Sequence, residues 1–265
     1  MNPPAMLKWS YALTVGIIVL FSVQSAMYVA HSLRFDGPEC VTVTLIGAGL
    51  VIGYMLIQVI WRFSAQAFLT WKWQRHFRSN ENVKLTKRLA YKYRTLGTEI
   101  LVVNDDGFTA LALGMRRPII VISKAVLDLF DEDEVKAILL HEWHHCRNRD
   151  NAKLFLARLL TEAFGYLPIS RPFFRYYQTW TELLADRFAI RRMGTELPLA
   201  SVLLKLTKLG DRRRHSAAVY FATTLDYRIA QVLEPDKNVK VKAALFRPLL
   251  VSVALLLLLT MSGDA

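Results

Sequence analysis

Residues 137–151 read AILLHEWHHCRNRDN and concentrate groups that can bind a metal and move a proton: His141, Glu142, His144 and His145. On a helix, His141 and His145 project from one face about one turn apart. That spacing lets two imidazoles share one zinc ion. Glu142 stands beside His141, where a carboxylate can take a proton from water acidified by the ion. This is the HExxH pattern, written here as HEWHH. So short a pattern also arises on polar helix faces that bind nothing. His144 lies three positions from His141 and fits the ligand pattern less well than His145, and Trp143 reads as a packing or membrane-facing residue.

A catalytic zinc site needs a third protein ligand and an open fourth position. The segment WTELLADRFAIRRMG, residues 180–194, reads as a helix that stops at Gly194. Glu182 and Asp186 share one face of it. Glu182 is the candidate third zinc ligand, and Asp186 can accept a hydrogen bond from a ligand histidine and hold its tautomer. The plain alternative is a solvated ion-pair face. Asp150 reads equally well as a polar helix end and as a support for the site, and Arg228, in LDYRIAQVLEP, as a partner for a nearby acid or a surface arginine.

Several elements must position these residues. ILVV, TALALG and PIIVIS, separated by NDDG and MRR, predict a small β-sheet with a hairpin. The run from Ser123 to Arg149 follows as helix, with Asp131 to Glu134 at an N-terminal turn and Val135, Ile138 and Leu139 at helical spacing. Residues 152–168 are apolar at helical spacing but contain Lys153, Arg158 and Glu162. Charge at a bilayer centre costs about 2.5–3.5 kcal/mol per residue on insertion scales, so this segment is expected to pack on the domain or lie at a membrane face.

The 265 residues are 53% hydrophobic with a formal charge of +12. A basic chain suits either nucleic acid or a membrane surface. The positive residues cluster beside long apolar runs, and no nucleic-acid motif is present, so the membrane is the expected partner and nucleic acid is not. Residues 9–30 and 41–61 are uncharged and long enough to span a bilayer. The connector HSLRFDGPEC suits a turn between them. Past Trp61 the chain is dense in Lys and Arg, which places residues 62–242 in the cytoplasm and the 31–40 connector outside. Residues 245–261 form a third, shorter candidate span, with an interfacial or buried helix as the alternative. The expected organisation is a transmembrane hairpin over residues 1–63, a cytoplasmic domain over 64–242 and a C-terminal transmembrane helix over 243–265. Cys40 and Cys146 make no disulfide framework, and Cys146 reads as a small buried apolar side chain.

The stretch TALALGMRRPIIVISKAVLDLFDEDEVKAILLHEWHHCRNRD, with the flanking hairpin, ELLAD and YRIAQVLEP, resembles the peptidase domain of the BlaR/MecR-type integral-membrane zinc metallopeptidases. The likeness runs from about residue 40 to 260. It implies an α+β, gluzincin-like zinc peptidase on the cytoplasmic side of a bacterial cell membrane, with His141, His145 and Glu182 as ligands of one Zn2+ per chain and Glu142 as base. It also implies regulatory proteolysis, with a cytoplasmic repressor or the peptidase itself as substrate. A weaker resemblance to the HtpX-type membrane peptidases, through HExxH and ExxxD, implies membrane protein quality control instead. Only a few residues follow the last apolar segment, so β-lactam sensing through an extracellular domain is not expected of this chain.

The expected mechanism has Glu142 deprotonate the attacking water and pass the proton to the leaving amine, with the strand around residues 109–114 holding substrate by β-addition. His215 and Tyr220 follow in an order that suits oxyanion stabilisation, but each reads more simply as a surface or packing residue. The alternative from another class is a non-catalytic membrane adaptor with a structural zinc.

Overall fold

The computed structural model describes residues 38–165, 167–210, 218–234 and 245–261, with Val241 and isolated positions between 12 and 34. Most of the expected first span and of the connector up to residue 37, His215, and the side chains of Cys40 and Tyr220 lie outside the described residues. The chain is mostly helical with one three-stranded sheet. It divides into two compact units, residues 67–155 with 178–241, and residues 1–66 with 156–177 and 242–265.

In the first of these units β1 (Ile100–Val103) pairs parallel with β3 (Ile119–Ser123), and β2 (Ala110–Leu113) pairs antiparallel with β3. The order is therefore β1-β3-β2, which leaves β2 at an edge. Strands covered on both faces read as unbroken apolar runs, which explains ILVV and IIVIS. Ile100, Val102, Ile120 and Ile122 face a core completed by Val126, Phe130, Val135, Ile138 and Leu139. Leu101, Val103, Ile119 and Val121 face Phe77 on the other side. The β2–β3 turn starts at Gly114, where φ is +102° and an added Cβ would lie 3.1 Å from the Arg117 carbonyl oxygen, so glycine is required there.

α2 (Val83–Lys92) precedes the sheet, and the single helix expected after β3 is two: α3 (Lys124–Leu129) and α4 (Glu132–Asn148). Asp131 separates them because its side chain accepts from the Glu134 N–H while the Glu134 side chain accepts from the Asp131 N–H, a capping box that starts a new helix. α4 presents Ala137 to Leu199 and Leu203 of α7 (Leu197–Gly210) and Val232 of α8 (Ala218–Leu233).

Glu134 is only 2% exposed and also accepts from Ser201 and from Lys205 at 2.6 Å. Burial pushes its carboxyl up, but the Lys205 and Ser201 bonds and the Asp131 N–H outweigh this and hold it below the ordinary 4.5. A carboxyl depressed in the folded state contributes stability above its unfolded value and loses it as pH falls through the folded value. Acid unfolding of Glu134→Gln, followed by tryptophan fluorescence, is thus expected to show a flatter stability loss below about pH 4.5 than the parent. Equal slopes would remove Glu134 from the acid response.

The second unit contains part of α1 (Pro38–Ser79), one helix of 42 residues. Among the described residues this is the one helix long and apolar enough to cross a membrane. Several side chains of its apolar run are open to the surroundings: Val43, Leu50 and Ile57 are about 70% exposed. The apolar run ends at Trp61 but the helix continues to Ser79, because residues 62–79 contain neither proline nor glycine to stop it. The same unit holds the end of α5 (Asp150–Ala163), the start of α6 (Ser170–Met193) and α9 (Phe246–Met261).

Candidate active site

α4 carries His141, Glu142 and His145, and α6 carries Glu182 and Asp186. The Nε2 atoms of His141 and His145 face each other at 3.1 Å. Glu182 joins them, with Oε2 3.4 Å from His141 Nε2 and Oε1 3.8 Å from His145 Nε2.

The opposite ring nitrogens have their own acceptors. His141 Nδ1 lies 2.8 Å from Asp186 Oδ1, close but off the line of a well-aligned N–H bond. His145 Nδ1 lies 2.9 Å from Asp150 Oδ2. The local backbone explains the second contact. Arg149 adopts φ +53°, the single positive φ at a non-glycine among the described residues, so α4 stops there and α5 begins at once with Asp150. Such a conformation costs on the order of 1 kcal/mol or more and persists where the surroundings demand it.

With both Nδ1–H groups directed to carboxylates, both Nε2 lone pairs point to one spot, where a Glu182 oxygen also arrives. Three electron-pair donors converging on one spot call for positive charge between them, a proton or a metal ion. His141, His145 and Glu182 offer atoms all within 4.8 Å of one another, so the residues fit a divalent metal of the kind bound by two imidazoles and a carboxylate. The electrostatics agree. Burial and the Arg228 guanidinium disfavour a charged His141, yet the Asp186 and Glu182 carboxylates prevail and raise it to about 10. The pocket draws positive charge. Burial pushes Glu182 up, but His141 and Arg228 hold it well below the usual carboxylate range.

His144 stays apart. It belongs to a second possible group with His145 and Asp150, but the His145 and Asp150 atoms on that side already bond each other. Burial lowers His144 to about 4, its ring contacts Phe188, and Asn148 lies 2.8 Å from its Nε2. Trp143 packs on the core and donates from Nε1 to the Leu96 carbonyl at 2.7 Å.

Arg228 of α8 is buried and grips Asp186 with two bonds, Nε to Oδ2 at 2.7 Å and Nη2 to Oδ1 at 2.8 Å. Its Nη1 is 3.3 Å from Glu182 Oε2. The sequence could not separate this arginine from a surface one, because its partner lies 42 positions away.

A cavity of about 390 Å³ opens on the cluster. Phe108, Ile138, Leu199, Val202 and Leu206 supply its apolar wall. Edge strand β2 forms another side through Ala110, Leu111 and Ala112. Glu142 faces the cavity; burial raises its carboxyl, and a backbone hydrogen bond from Ala112 partly offsets this. Sequence reading did not single out Asn151. Its Nδ2 donates to the carbonyls of Ala112 at 2.7 Å and Gly114 at 3.3 Å, tying α5 to the strand edge. Its position next to Asp150 was the available signal.

A family profile described as BlaR1 peptidase M56 matches residues 10–232. The chain is also 28% identical over 104 residues to the Regulatory protein BlaR1 of Bacillus licheniformis, covering 38% of this chain and 17% of that protein. It is 26% identical over 91 residues to a Protease HtpX homolog of Bacteroides fragilis (strain YCH46), covering 34% of this chain and 28% of the relative. The matches thus span well under two thirds of these relatives' lengths.

Proposed function

The chain belongs to the BlaR1 peptidase M56 family, and from that membership we propose a membrane-embedded zinc endopeptidase that hydrolyses peptide bonds of a cytoplasmic or membrane-associated protein in regulatory proteolysis. The observation that carries this reading is the convergence of His141 Nε2, His145 Nε2 and the Glu182 carboxylate beside Glu142 in one cavity. His141, His145 and Glu182 would hold the zinc, which when bound supplies Lewis-acid polarisation and a water of lowered pKa. Glu142 takes the proton of the attacking water on its carboxylate and returns it to the leaving nitrogen. Burial raises its carboxyl, the direction that makes a carboxylate a stronger base. Asp186 and Asp150, beside the two Nδ1 atoms, would hold the imidazoles in the tautomer that leaves each Nε2 lone pair free to bind a metal.

Edge strand β2 receives the substrate in extended form. The Ala112 carbonyl points away from β3, since it bonds Asn151, and strand alternation points the Ala110 groups the same way. Ala112 is occupied by Asn151 and Glu142, so Ala110 offers the N–H and C=O on which a substrate strand docks. The arrangement in the cell envelope is the one expected from sequence: a transmembrane hairpin over residues 1–63, the peptidase domain at 64–242 in the bacterial cytoplasm, and a C-terminal transmembrane helix at 243–265. The exposed apolar side chains of α1 support the span at residues 41–61. The likeness to an HtpX homolog favours, as second reading, a protease of membrane protein quality control. A single cleavage in one folded regulator speaks for the first reading and many cuts in misfolded membrane proteins for the second.

The test is zinc content in detergent-purified protein. The parent is expected to hold one zinc per chain, Glu182→Ala to lose it, and Asp150→Ala to bind it about 10- to 100-fold more weakly. Well-folded parent protein that takes up no zinc would leave HEWHH a histidine-rich helix and bring the adaptor reading forward.

A further inference from the structure

Resting on the membrane reading above, we infer that the turn between α5 and α6 is itself a lipid-embedded element that dips into the apolar edge of the bilayer. The segment 152–168 carries charges that argue against a span, and the structure shows where those charges go. Both oxygens of Glu162 are paired, Oε2 with Arg62 Nε at 2.8 Å and Oε1 with Arg158 Nε at 3.1 Å. Arg62 directly follows the apolar run of α1, so this ion pair marks the level at which hydrocarbon gives way to headgroups. Past Glu162 the chain carries no charge until Arg171.

The turn's described polar groups are met within the protein: the Leu167 N–H donates to the Phe164 carbonyl at 3.0 Å and the Ser170 N–H to the Leu167 carbonyl at 3.1 Å, and hydroxyls add to these. Ser170 Oγ lies 2.6 Å from the Leu167 carbonyl oxygen and 2.9 Å from that of Phe164, its one proton shared between them. Thr161 Oγ1 reaches the carbonyls of Ala157 and Ser170. The Ile169 N–H donates to Ser252 Oγ, which is fully buried on α9. The residue left exposed beside it, Pro168, has no N–H to satisfy. Irregular backbone at membrane depth must find such bonds within the protein, and the described groups of this turn meet that condition. Depth follows from α9: Ser252 lies six residues past Phe246, about 9 Å along the helix, and Ile169 is bonded at that level. The two helices joined by this turn are those that bear Asp150 and Glu182.

The experiment uses the full chain in phosphatidylcholine–phosphatidylglycerol vesicles, with Cys40 and Cys146 replaced by serine and alanine. An environment-sensitive fluorophore is placed in turn at Pro168→Cys, Gly165→Cys, Val43→Cys on the apolar face of α1, and Arg116→Cys on the exposed β2–β3 turn. Labels at 165 and 168 are expected to be quenched by lipids bearing a nitroxide high on the acyl chain, and to be several-fold less accessible to aqueous iodide than the label at 116. If the label at 43 is lipid-quenched while those at 165 and 168 meet iodide as readily as that at 116, the turn lies in water and the inference falls alone. If the label at 43 also meets iodide freely, the membrane reading fails and takes this inference with it.

Discussion

Glu142→Gln is expected to lower the turnover number for peptide hydrolysis by about 10²- to 10⁴-fold, the usual worth of a general base, while zinc content stays at the parent level. The substitution keeps the size of the side chain and leaves an oxygen to accept the Ala112 hydrogen bond, so the cavity wall is preserved. It removes the charge that collects the proton. Glu142 is not among the three groups that converge on the metal spot, so binding of the ion should not change. The two readouts belong together. Turnover lost with zinc retained assigns the proton to Glu142. Turnover retained would mean that another group moves it, and the proposed mechanism would be wrong. A cellular phenotype that survives Glu142→Gln would instead favour an adaptor.

The second large effect is on stability. Arg228→Met is expected to cost about 3–5 kcal/mol, because it strands the buried Asp186 carboxylate without its partner. Asp186 is fully buried and Arg228 7% exposed, and two short bonds join them. Burial acts to raise Asp186, yet Arg228 and His141 keep it below the ordinary carboxylate value. The midpoint of thermal unfolding should fall by about 10 °C. Arg228→Lys should recover only part of this, since an ammonium cannot reproduce the paired geometry of the guanidinium. Both are measured in chelator as well as in zinc. A loss confined to the zinc-loaded protein would show that Arg228 acts through the metal cluster alone, against the direct ion-pair argument.

The relation of sequence to site is clearest residue by residue. His141 and His145 fall on one face because a helix repeats every 3.6 residues, and the structure puts their Nε2 atoms 3.1 Å apart. Glu182 and Asp186 share a face of α6 for the same reason. ILVV and IIVIS declare themselves as strands because both faces are covered, and the acidic run at 131–134 declares a helix start through its capping box. These features are local: the information lies within a few positions of the residue concerned, so composition and spacing alone specify them.

What only the tertiary structure decided is which distant groups meet. Asp150 turns back onto His145 because Arg149 takes a left-handed conformation that nothing in its residue type announces. Asn151 holds β2 at Ala112 and Gly114, and the order β1-β3-β2 puts that strand at the open edge. Arg228 reaches Asp186 across 42 residues. The charges within 152–168 could not be weighed until Glu162 was seen to pair with Arg62, a hundred positions earlier. Each of these is a long-range pairing made when helices and sheet pack. A periodic pattern shows which face of an element will be buried, but the partner it is buried against is set by the packing of the whole chain.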